Sequence, residues 1–146
     1  LSSLKWNVNR ALLQDSVFYS DSIAFHQTSE TLYALTYKDT LKNLVNERNT
    51  YLTISALLSS ADTVNLSLVF NVNRGDSSVF WRGTNVKPYY SEDKWYQFMY
   101  VFEKPDNLLP SDEVVIYFWN PKKENVYIDE FKMYNFADSD YNYFKF

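Results

Sequence analysis

The chain has 146 residues, 46% of them hydrophobic and 22% charged, which is enough to bury a core and too apolar for a disordered chain. The formal net charge is −4 and the Lys and Arg residues are scattered, which argues against nucleic acid as a partner. There is no cysteine, so disulfides, thiolate zinc sites and Cys nucleophiles are excluded, and no apolar run reaches membrane-spanning length.

Residues 4–8 alternate Leu4, Trp6 and Val8 and predict a first strand, with Trp6 covering a sheet edge. Short strands are expected over 16–19 and 23–27, and another over 31–37. Within 39–48, Leu41, Leu44 and Val45 share helical spacing; a short helix and an ordered loop are both compatible with it. From residue 50 the pattern is β. The run 50–58 is rich in Thr, Ile and Leu. In 64–73, Leu66, Leu68, Phe70 and Val72 point inward, and Ser67, Val69, Asn71 and Asn73 outward. Arg74-Gly75-Asp76 reads as a hairpin turn into a strand over 78–82. Residues 94–103 place Phe98, Tyr100 and Phe102 on one face and Gln97, Met99 and Val101 on the other, and 105–110 break the pattern. Residues 113–134 read as two strands joined by a tight polar turn. Val114, Ile116 and Phe118 form the core face there, and Tyr117 and Trp119 share the other. Residues 138–146 are polar and aromatic and are expected to be a terminal strand extension or a linker, with the terminal extension beginning at about 136. With eight to ten short strands, the expected fold class is all-β, a β-sandwich of two antiparallel sheets forming one domain over 1–146.

The segment from about 50 to 134 resembles the jelly-roll carbohydrate-binding modules of the galactose-binding-like fold. The resemblance rests on Thr50-Tyr51-Leu52-Thr53-Ile54-Ser55-Ala56, on Phe70-Asn71-Val72, and on Ser78-Val79-Phe80-Trp81-Arg82-Gly83. It continues through Lys94-Trp95-Tyr96-Gln97-Phe98 to Pro105, and closes with Val114 to Asn120 and Tyr127-Ile128-Asp129-Glu130-Phe131. The last element is similar to the family's terminal Tyr-x-Asp-Asp-Phe strand, with Glu130 in place of the second Asp. The resemblance implies a jelly roll and a structural Ca²⁺ held by a carboxylate at this place together with N-terminal groups. The N-terminal partner lacks a clear counterpart, Asp15 and Asp21 being the loose candidates.

An aromatic pair on the second face of a sheet is either another buried layer or a platform for a ligand. Sugars present C–H faces on which Trp and Tyr rings stack, with a polar edge left for a hydrogen bond. Trp81, Tyr117 and Trp119 are therefore the candidate platform, and Asn71, Arg82 and Gln97 the candidate readers of hydroxyls. Trp95 is expected in the core.

Other motifs carry less. Arg74-Gly75-Asp76 spells an adhesive tripeptide, but a Gly-containing turn is what hairpin geometry demands. Asn65-Leu66-Ser67 matches the glycosylation pattern inside a strand. His26 is the only histidine, and no nucleophile elbow or second imidazole accompanies it. Two glycines, Gly75 and Gly83, are too few for a phosphate-cradling loop. Glu92, Asp93, Asp112 and Glu113 read as solvated turn residues.

The expectation is a non-catalytic module that binds polysaccharide or glycan, without nucleic acid or a membrane span. It is expected to be part of a larger extracellular, cell-surface or periplasmic protein, in keeping with a start at Leu1 and no signal-like segment. The alternative is a structural or protein-interaction sandwich that docks neighbouring domains of its parent.

Overall fold

The computed structural model describes the backbone of residues 6–8, 13–14, 24–27, 33–48, 50–60, 65–86, 95–137 and 140–145. Side chains are described within 36–134 of that set. The strands are β1 (Trp6–Val8), β2 (Leu13–Gln14), β3 (Ala24–Gln27), β4 (Tyr33–Thr40), β5 (Tyr51–Ser59) and β6 (Leu66–Arg74). They continue with β7 (Ser77–Val86), β8 (Tyr96–Glu103), β9 (Glu113–Trp119), β10 (Val126–Ala137) and β11 (Asp140–Lys145). The strand predicted over 16–19 lies outside the described residues.

One sheet runs β1-β4-β9-β6-β7 and the other β2-β3-β10-β5-β8, with β11 paired to β10. Every described pairing is antiparallel. This is the sandwich the alternation predicts. The core lies between the sheets. The first contributes Leu66, Leu68, Phe70, Val72, Val114, Ile116 and Phe118, and the second Leu52, Ile54, Leu58, Phe98, Phe102, Ile128 and Phe131, all buried. Rings tie the layers together. Phe70 stacks on Phe102 at 3.9 Å between centroids, and Phe118 meets Phe131 edge-on at 5.5 Å.

One expectation is overturned, and two open alternatives are decided. Of the short helix and the ordered loop compatible with 39–48, the segment holds one 3₁₀ turn, Leu41–Asn43. Leu41, Leu44 and Val45 are nevertheless all buried, so their spacing marked a core contact. β9 and β10 are not a hairpin, because the chain crosses from one sheet to the other between them. Asn120 closes that crossing: its Nδ2 donates to the Glu124 carbonyl at 2.6 Å, and its Oδ1 accepts from Glu124 N at 3.0 Å. Residues 140–145, finally, form a strand against β10.

β10 carries an irregularity that its sequence hides. Val126 and Ile128 face inward before it, and Phe131 and Met133 after it. That change of parity needs an extra residue, and the register with β5 shifts between Asp129 and Lys132. Glu130 takes up the distortion at φ 48°, and its N–H donates to Asp129 Oδ1 at 2.6 Å. Glu130 also pairs with Lys132.

Candidate functional site

Register places the outer face of the first sheet in rows. Trp81 lies opposite Asn71, which lies opposite Val115. Gly83, Val69 and Tyr117 form the next row, and Asn85, Ser67 and Trp119 the one after. Side chains alternate across a strand, so these residues share one side of the sheet. Polar groups of β6 therefore run between aromatic residues of β7 and β9. With strands ~4.8 Å apart, Trp81 and the β9 aromatics stand on strands ~9.6 Å apart.

Trp81 is the most open aromatic of the face, 57% exposed. Its indole reaches along its own strand over Gly83, so that a Cβ built at Gly83 would sit 2.8 Å from the ring's far end. The absence of a side chain at Gly83 makes room for the ring. Tyr117 and Trp119 are half-buried. Val69 is fully buried despite facing outward, because Gly83 with the ring above it flanks one side and Tyr117 the other.

The polar groups are held in place. Ser78 Oγ donates to Asn71 Oδ1 at 2.7 Å, and Asn71 Nδ2 donates to Asn73 Oδ1 at 3.2 Å. Ser67 Oγ donates to Asn85 Oδ1 at 3.2 Å. Such bonds fix which way each amide points and lower the ordering cost of meeting a ligand. At one end of the face Lys38 lies 3.8 Å from Glu113.

Of the six residues singled out from sequence, four share this face: Trp81, Asn71, Tyr117 and Trp119. Arg82 is next to Trp81 in the chain but on the other side of β7, opposite the buried Phe70, and it lines a cleft at the sheet edge. Gln97 lies in β8 of the second sheet, opposite Leu57. There it lines a cavity of about 220 Å³ with Ser55, Glu130 and Lys132. Sequence reasoning did not single out Gly83, Ser67, Asn73, Ser78 or Asn85. Their signal was present as the outward half of the alternation in β6 and the residues facing it.

Asp112 is a correction. It is buried, not solvated, and accepts from Arg74 Nε and Arg74 Nη2, both at 2.8 Å, and from Leu109 N at 2.7 Å. The Arg74 hydrogen bonds, aided by the Leu109 N–H, hold its carboxyl below the usual carboxylate range against the desolvation that raises it. The guanidinium of the Arg74-Gly75-Asp76 tip is thus engaged within the fold. Burial, and then Asp39 as hydrogen-bond acceptor at 2.7 Å, push the Tyr37 hydroxyl up. Trp95 is half-buried, not core. Among the described residues no group of three or more His, Asp or Glu gathers in a way that could hold a metal ion. Asp15, Asp21, Glu92 and Asp93 lie outside the described residues, as do the side chains of Trp6 and His26.

No family model matches the chain, and no curated protein matches it by sequence. Solved structures share its fold. The CBM22-2 xylan-binding domain of Paenibacillus barcinonensis Xyn10C superposes with a TM-score of 0.62 at 10% identity, over 88% of this chain and 90% of that one. The CBM22-1 xylan-binding domain of the same protein gives 0.58 at 16% identity, over 90% and 85%. The CBM22-1-GH10 modules of Clostridium thermocellum Xyn10B, complexed with xylohexaose, give 0.60 at 5% identity, over 94% of this chain and 27% of that one. At these identities the likeness is one of fold. The chain has the β-sandwich of carbohydrate-binding modules.

Proposed function

We propose that the chain is a non-catalytic carbohydrate-binding module of a larger exported protein, which holds a neutral polysaccharide on the outer face of its first sheet. The observation that carries the reading is the open Trp81 ring over Gly83, facing the polar strand β6 with Tyr117 and Trp119 beyond it. Rings on both sides of a strip of amides suit a chain of sugars. Pyranose C–H faces meet the aromatic residues, and their hydroxyls reach Asn71, Asn73 and Ser67. The shared fold of xylan-binding domains supports this ligand class. No step of chemistry is assigned to the face, whose part is to bind and orient.

Affinity electrophoresis through gels containing xylan, mixed-linkage glucan or mannan tests the reading. Retardation of the wild-type protein by at least one of them, relieved in Trp81→Ala of equal thermal stability, is expected. Equal migration in every gel would reject it.

One observation favours a second reading, the docking of a neighbouring domain. Tyr51, Met99 and Val101 are exposed together on the outer face of the second sheet. Substituting Met99 and Val101 by Thr leaves glycan retardation intact under the first reading. It weakens domain association in the parent protein under the second.

A further inference from the structure

The edge where the two sheets end holds the larger of the described cavities, about 480 Å³, between β7 and β8. Its apolar lining is Phe80, Tyr100, Val101, Phe102 and Pro105; Phe80 and Tyr100 are half-buried, and the buried Phe102 ring, 5.5 Å from Phe80 between centroids, forms the floor. The charged residues Arg82, Glu103, Lys104 and Asp106 complete the lining. Arg82 is exposed on the inward side of the edge strand and makes no ion pair among the described residues. Glu103 Oε1 accepts the Tyr51 hydroxyl at 3.1 Å.

We propose that this cleft is a second binding site, and that it takes a uronic-acid residue, a sugar carrying a carboxylate. Three features select that class. The half-buried Phe80 and Tyr100 rings meet the apolar face of a pyranose ring. The Arg82 guanidinium matches a carboxylate with two parallel hydrogen bonds, and Lys104, in the same lining, adds positive charge. Asp106 repels a bare anion but accepts hydrogen bonds from hydroxyl donors, whereas the Glu103 carboxylate turns to the outer face with Tyr51. A ligand that suits all three offers one carboxylate and several hydroxyls on one ring. The site lies on the opposite side of β7 from Trp81 and does not depend on the reading of that face.

Calorimetric titration of the whole protein with tri-galacturonic acid, its methyl ester and sodium sulfate tests the assignment. The acid is expected to bind at least ten-fold more tightly than the ester. Sulfate at equal concentration should not displace it, and added xylohexaose should not compete. Arg82→Gln is expected to weaken the acid at least ten-fold. Arg82→Lys, which keeps the charge and loses the planar fork, should weaken it several-fold and covers the case in which the Gln variant fails to fold. Equal affinity for acid and ester would overturn the assignment, as would displacement by sulfate or unchanged binding in both variants. An inward charge on an edge strand also guards against edge-to-edge pairing. Arg82→Gln that dimerises while binding the acid normally would give Arg82 that role instead. Failure of xylohexaose to bind bears only on the Trp81 face and leaves this titration readable.

Discussion

Gly83 is where a small change should move the proposed platform without touching the fold. A methyl group there would lie 2.8 Å from the nearest indole carbon and 3.4 Å from the two beside it. Carbon atoms in contact prefer ~3.5–4.0 Å, so the end of the ring must rise by about 1 Å. Were the ring fixed, overpacking would cost ~1–3 kcal/mol. Trp81 is more than half exposed, so it swings off the strand instead. Alanine is favoured over glycine within a strand by ~0.5–1 kcal/mol, so the thermal midpoint should hold or rise. Losing one well-placed stacking contact costs ~0.5–1.5 kcal/mol, roughly a 2- to 12-fold weaker association. Gly83→Ala is therefore expected to weaken retardation by the retarding polysaccharide in affinity electrophoresis at unchanged stability, with a shift in the Trp near-ultraviolet dichroism. Unchanged affinity together with a displaced ring would refute the role of the platform. Loss of binding together with a lowered midpoint would refute the separation of site from fold.

Other substitutions probe different parts of the structure. Asn71→Ala removes an amide that Ser78 and Asn73 hold in place, and should weaken glycan binding by about 1 kcal/mol at unchanged thermal midpoint, as read by calorimetry. Phe118→Ala empties a buried ring site that touches Phe98 and Phe131, and should cost ~3–5 kcal/mol in urea unfolding. Arg74→Ala leaves the Asp112 carboxylate without its cation and should lower stability near neutral pH, also read in urea. The pH dependence has a definite sign. The folded Asp112 is more acidic than the ~3.9 of an unfolded Asp, so its contribution is complete above that value and fades as pH falls through the lower folded one. Wild-type and Arg74→Ala stabilities should therefore converge in acid.

Much of this architecture was legible because period-two alternation is a direct record of which side chains face the core. β6 shows it most plainly, where Leu66, Leu68, Phe70 and Val72 are buried as the pattern requires. The same alternation placed Asn71 outward and set Tyr117 and Trp119 on one face. Strand pairing across the molecule was not legible. Arg82 and Gln97 look like neighbours of Trp81 until the topology puts one behind β7 and the other in the second sheet. The β9–β10 crossing was hidden because its short polar segment, 120–125, has the composition of a hairpin turn. The parity change at Glu130 arises from a bulge, which the alternation before and after it does not mark. Asp112 read as solvated because its partner Arg74 lies far away in sequence.

The central claim is that a glycan lies on the outer face of the first sheet. The measurement that tests it most directly is a map of backbone amide shifts in the full chain as xylohexaose, a mixed-linkage gluco-oligosaccharide or a manno-oligosaccharide is added in turn. The account predicts, with at least one of them, saturating shifts confined to 67–73, 81–85 and 115–119, with the Trp81 indole N–H among the most displaced signals. Shifts confined to 97–101 on the second sheet, or none with any of these sugars at millimolar concentration, would contradict it.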